Sequence, residues 1–193
     1  MESSRFETFL DAIIAIIMTV LVLKIPQPAE PTIMSLWNLK TIYLAYFISF
    51  LVLFNIWYNN HNLFQLIDTI DNKVVWINGI MTFIISLIPY FTIWLAYNVY
   101  SIPAETMFGL IFLATNITYN LGVRAVYKSN PYNVQLQESK YNSMQVLIPF
   151  AVILLGFIVT YTFYVPGIYI SCMISVIMWI GIARINRGDA NGN

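Results

Sequence analysis

Six stretches of mostly apolar residues, each about long enough to cross a bilayer, constrain this chain more than any other feature. Their approximate spans are Phe9 to Ile25, Leu39 to Phe64, Val74 to Tyr97, Ala104 to Tyr127, Met144 to Tyr164 and Pro166 to Ala183. A helix needs about 20 such residues to span the hydrocarbon core. Hydrocarbon also requires every backbone N–H and C=O to be satisfied within the segment, as a helix does. Pro26, Pro28 and Pro31 close the first stretch, the cluster from Asp68 to Lys73 separates the second from the third, and Ser101 to Pro103 separates the third from the fourth. The only long polar segment is Lys128 to Ser143, and the last two stretches meet at Val165-Pro166-Gly167. The expected fold is all-α: a polytopic integral membrane protein with six transmembrane helices. One domain covers residues 1–187, and a disordered tail covers 188–193.

Composition narrows the function classes. Hydrophobic residues make up 59% of the chain and charged residues only 9%, against about 25% charged in an ordinary soluble domain. Nine Lys plus Arg balance nine Asp plus Glu, so there is no basic field to gather nucleic acid. The single Cys172 has no disulfide partner within the chain, and no Cys/His cluster marks a structural metal site. No cofactor is expected. With one His and Asp11 as the one intramembrane acid in this reading, an enzyme is not expected either. No helix carries the spaced arginines of a voltage sensor. Glu2 and Glu7 cancel the positive charge a signal peptide needs, and Lys24-Ile25-Pro26 is a poor cleavage context, so the first stretch is read as a membrane helix.

Orientation follows from the basic residues. Six helices put the N-terminus, the second and fourth loops and the C-terminus on one side. That side carries Arg5, Lys73, Arg124, Lys128, Lys140, Arg184 and Arg187, against Lys24 and Lys40 on the other. The positive-inside rule then places both termini in the cytoplasm. Trp37, Tyr43, Trp76, Tyr97, Tyr100, Tyr161 and Tyr164 fall near helix ends, as an interfacial aromatic belt requires.

The first helix holds the most functional information. Asp11 stands one turn inside its N-terminal end, and an ionisable residue there marks a functional position by default. At about 100 degrees per residue, Arg5, Phe9, Ala12, Ile13, Val20 and Leu23 all fall within about 60 degrees of Ile16, with Thr19 at the edge of the face. Asp11 points to the opposite side, near Glu7, and faces other protein. Periodicity alone leaves open whether the Ile/Val/Leu face meets lipid, packs against another helix or lines a pore. Arg5, Asp11 and the only histidine, His61, share the cytoplasmic end and are expected to form one interhelical polar cluster. Asp68 and Asp71 read as helix caps. Asn55, Asn59, Asn60, Asn62, Asn78, Asn116 and Asn120 are expected to hydrogen-bond between helices.

The run from Arg5 through Phe9, Asp11 and Ala12 to Thr19 resembles the first-helix signature of the endolysosomal potassium channel family: Arg, three residues, then Phe-Ser-Asp and an Ala/Ile-rich stretch. Leu10 departs from it where the family has Ser. Trp57, His61, Leu63 and Phe64 are similar to the family's second-helix pattern, and Leu87-Ile88-Pro89-Tyr90-Phe91-Thr92 resembles its Leu-Pro-Phe-x-Thr turn. The resemblance implies a potassium-selective leak channel without a re-entrant P-loop, a homotetramer whose pore is lined by four copies of the first helix. Bacterial members carry one six-helix unit per chain and animal members two.

Carried onto matching positions, the family's narrow layers are Ile16, Val20 and Leu23, forming a hydrophobic gate, with Thr19 contributing to selectivity. Arg5, Phe9, Asp11 and His61 make up the structural polar cluster at the first helix. The implied permeant ion is potassium, the partners are further copies of the chain and the lipid bilayer, and the location is the cell membrane. The competing reading is a proton-permeable channel or proton-coupled secondary transporter, which titratable Asp11 and helix-breaking Pro89 or Pro149 would serve.

Overall fold

The protein is described here by a computed structural model over residues 2–67, 69–139 and 144–190, with backbone only at 144–146 and 179–190. The chain forms α1 (Ser3–Leu23), α2 (Ile33–Asn38), α3 (Lys40–Phe64), α4 (Asn72–Ser86), α5 (Ile88–Tyr97), α6 (Ile102–Ser129), α7 (Val134–Glu138), α8 (Met144–Thr162) and α9 (Gly167–Ala190). The only extended pairing among the described residues is one isolated bridge between Glu2 and Thr69. The expected all-α class holds. Residues 188–190 of the anticipated tail continue α9, while Asn191 to Asn193, like Asp68 and Lys140, lie outside the described residues.

Local chemistry sets the boundaries. Helix α1 ends at Leu23, three residues before Pro26 opens the proline-rich segment, because a residue preceding proline avoids the helical region. Thr32 caps α2, its hydroxyl oxygen accepting the Ser35 N–H at 3.2 Å. The third apolar stretch is two helices, α4 and α5, meeting at Leu87. Pro89 has no N–H to give the carbonyl four residues back, and its ring crowds that turn. Asp71 takes the N-cap position of α4 but makes no side-chain capping bond, so the expected carboxylate cap is not formed. Its carbonyl accepts from Val74 and Val75. The short helices α2 and α7 were not expected from periodicity. The second is started by Asn133, whose Oδ1 accepts the Leu136 N–H while its Nδ2 donates to the Leu66 carbonyl.

The main core collects Ile14, Leu21, Ile48, Leu53, Ile56, Met81, Ile85, Leu95 and Phe108 from α1, α3, α4, α5 and α6. A smaller cluster of Phe6, Leu10, Phe64, Val74, Val126 and Leu136 closes the end where α1 and α4 begin and α3 and α6 finish. There the Ser3 hydroxyl donates to the Phe64 carbonyl at 3.0 Å, and the Phe6 and Phe64 rings meet edge to face at 5.7 Å. Helices α8 and α9 form a hairpin held at close range by a glycine: a Cβ on Gly156 would collide with the Ser171 side chain. Small residues do this in membrane bundles because dispersion contact, not hydrophobic transfer, drives the pairing.

The asparagines differ from expectation. Asn59, Asn62, Asn78 and Asn120 each donate to the carbonyl four residues earlier in their own helix. A clear interhelical polar bond is made instead by two hydroxyls, Ser49 of α3 and Thr92 of α5, 2.7 Å apart. Thr92 also donates to the Ile88 carbonyl, so its proton is committed to its own helix and Ser49 is the donor between the two hydroxyls.

Candidate functional site: the first helix and its polar anchor

Helix α1 has two unlike faces. One packs into the bundle, with Ile14 only 1% exposed and Leu21 fully buried. The other has no partner among the described residues: Phe9 is 56% exposed, Ile16 61%, Val20 36% and Leu23 79%. Arg5, Ala12 and Thr19 are exposed along the same face. The Thr19 hydroxyl donates to the Ile16 carbonyl at 2.7 Å. With its proton committed to the backbone, the oxygen keeps lone pairs that can accept or coordinate.

A polar cluster anchors the buried side of the same helix. His61 Nδ1 of α3 lies 2.6 Å from Glu7 Oε1 of α1, and one turn later on α1 Asp11 is hydrogen-bonded by the Trp57 side chain. The Trp57 and His61 rings stack, centroids 5.7 Å apart and planes 16° from parallel. His61 Nε2 stands 2.8 Å from the Gln65 amide nitrogen, a bond that fits a ring carrying its proton on Nδ1. Asp11 and His61 are therefore brought together, joined by Glu7 and Trp57. Arg5 and Phe9 are not part of this group; they sit on the exposed face. Leu10, standing where the resembled family has Ser, is buried with Phe6 and Phe64, so packing replaces a hydroxyl there.

Sequence reasoning missed Glu105. It lies in the first turn of α6, is wholly buried, and accepts the Tyr169 N–H on Oε2 at 2.8 Å. Beside it Thr160 of α8 accepts the Ile168 N–H at 2.8 Å. Both acceptors satisfy the first turn of α9, whose N–H groups have no partners within their own helix, and a carboxylate also suits the positive end of the helix dipole. An acid near a helix start reads locally as that helix's own cap; its actual partner is 64 residues away. Replacing Glu105 with Ala is expected to destabilise the protein by about 1–3 kcal/mol, because it strands a buried N–H, while Gln, which keeps an acceptor oxygen, is expected to cost less. Thermal unfolding of the purified variants checks this, and an Ala variant as stable as the parent would refute the bridge.

Among the described residues, four helices are long and apolar enough to cross a membrane: Ser3–Leu23, Lys40–Phe64, the α4–α5 pair Asn72–Tyr97, and Ile102–Ser129; Leu147–Thr162 and Gly167–Met178 are shorter apolar helices. The chain is thus a multi-pass, all-helical integral membrane protein. Residues 5–89, which contain the whole of the first-helix site, match the family described as endosomal/lysosomal potassium channel TMEM175. A potassium channel from Chryseobacterium sp. (strain P1-3) is 26% identical over 189 residues, 97% of each chain. A potassium channel from Chamaesiphon minutus is 32% identical over 128 residues, 62% of this chain and 63% of that one. The fold is similar to the crystal structure of a lysosomal potassium-selective channel TMEM175 homolog from Chamaesiphon minutus, with a TM-score of 0.70, 26% identity, and coverage of 92% of this chain and 96% of that one. The chain is thus similar to the TMEM175 family in sequence over its N-terminal part and to a TMEM175 homolog in fold over most of its length.

Proposed function

We propose that the chain is a potassium-selective leak channel of the cell membrane: a homotetramer in which four copies of α1 surround the pore. The observation that carries this reading is the exposed row Phe9, Ile16, Val20 and Leu23 on a helix whose other face is locked into the bundle. The potassium channels the chain resembles over nearly its full length support it. Six spans with both termini cytoplasmic complete the reading. Helix α8 has 19 residues, and α9 stays uncharged from Gly167 to Ala183, before Arg184; at about 1.5 Å per residue these run about 28 and about 26 Å, close to the hydrocarbon thickness.

In this assembly Ile16, Val20 and Leu23 form successive apolar layers. A bare cation cannot cross them, because moving an isolated charge into an apolar medium costs on the order of tens of kcal/mol. The ion keeps its water, and the layers conduct while wet and close when they dewet. Selectivity arises from the hydration each cation sheds at the narrowest layer, with Thr19 hydroxyl oxygens replacing part of it. The Glu7–Asp11–His61–Trp57 group holds α1 in register against α3, leaving Arg5 and Phe9 at the pore mouth or between subunits.

Purified protein in vesicles with a potassium gradient tests the proposal. The expected result is rapid, unsaturated potassium flux that follows the gradient and exceeds sodium flux. Slow, saturating flux coupled to a counter-ion or to protons would identify a carrier and refute it.

A further inference from the structure

We propose that Glu7, Asp11 and His61 bind a zinc-class divalent cation that ties α1 to α3. One ligand atom from each of the three residues lies within 4.8 Å of the other two. Donors about 2.0–2.1 Å from a tetrahedral zinc stand roughly 3.3 Å apart, so side-chain shifts of about an ångström close the set. Glu7 and Asp11 are one turn apart on α1 and point to the same side, and His61 meets them from α3, its Nδ1 2.6 Å from Glu7 Oε1. That nitrogen is shut off from solvent and faces the Glu7 carboxylate; a bound cation takes its lone pair by displacing the Nδ1 proton, as metal binding to imidazole does.

The surroundings orient the donors as metal sites require. Trp57 stacks on the His61 ring and hydrogen-bonds Asp11, and the Gln65 amide stands 2.8 Å from the other ring nitrogen, where, turned over, its oxygen accepts the Nε2–H of a ring ligating through Nδ1. Each of the three residues is half-buried, so an ion can enter and a water can complete the coordination, the pattern of three protein ligands plus an open position. An imidazole with two carboxylates favours zinc-class ions over magnesium, calcium or potassium, which take oxygen ligands. Helical periodicity pairs Glu7 with Asp11 and a shared membrane end brings His61 near them, but only the folded structure sets one ligand atom of each within reach of a single ion.

The test is zinc binding to tag-free, full-length protein in detergent by equilibrium dialysis, with no flux measured, so that its failure is distinct from failure of the channel proposal. The expected result is one zinc per chain at micromolar or lower free zinc, weakened at least about tenfold by Glu7→Gln and by His61→Gln. Glu7→Gln is nearly isosteric, and an unchanged elution volume confirms that it folds. Absence of saturable binding to the parent, or the same affinity in either variant, overturns the site.

Discussion

Replacing Ile16 with Asn is expected to raise cation flux by about tenfold or more and to reduce the preference for potassium over sodium at the same time. The reasoning rests on where Ile16 stands. It is 61% exposed on the unpartnered face of α1, one turn before Val20, and its carbonyl is held by the Thr19 hydroxyl. In the proposed tetramer four such side chains leave an apolar ring where water is costly to keep. Four amides hydrogen-bond that water and lower the barrier; each 1.36 kcal/mol removed is about tenfold in rate. A ring that no longer forces ions to shed water also no longer distinguishes them by hydration. Conductance and selectivity are therefore coupled at this position. Vesicle flux with potassium or sodium as the driven ion measures both, and unaltered values for Ile16→Asn would remove Ile16 from the permeation path.

Asp11→Ala is expected to weaken or abolish assembly, with a fall in thermal stability of about 1–3 kcal/mol. Asp11 accepts a hydrogen bond from Trp57 and lies beside His61. Removing it strands the indole N–H and leaves Glu7 as the sole carboxylate facing the imidazole. The α1 N-terminus still has the Ser3–Phe64 bond and the Phe6–Phe64 contact, so the helix is expected to form but to lose its register against α3. In a tetramer whose pore is that helix, a small rotation turns Ile16 and Val20 away from the axis. Size-exclusion chromatography and flux report the two effects separately. Asp11→Asn, which keeps an acceptor for Trp57, is expected to be milder. Normal assembly and normal flux in Asp11→Ala would show that the cluster does not position α1.

Helical periodicity made the most distinctive part of the site legible. The face of Ile16, Val20 and Leu23 follows from 100 degrees per residue alone, and so does the opposite placement of Asp11 beside Glu7. The approach of His61 was legible only as a shared membrane end. Its contact is to Glu7, a position with no role in the resembled signature, and the ring is held by Trp57 one turn earlier in α3 and by Gln65 just past its end.

What the sequence hid was mostly long-range or too short for a period. Glu105 serves the start of α9, and nothing in the local sequence around it announces a partner 64 residues on. Six-residue α2 and five-residue α7 are shorter than two helical turns, so no apolar repeat reveals them. The break at Leu87 had a visible cause in Pro89, but a proline within an apolar run is compatible with a kinked continuous helix as well as with two helices.

The most direct measurement is an experimental structure of the purified protein assembled in lipid. The expected result is four copies around one axis, with Ile16, Val20 and Leu23 turned toward a continuous water path and Thr19 beside them. A monomer, or an assembly in which those three side chains face lipid away from any symmetry axis, would contradict the pore.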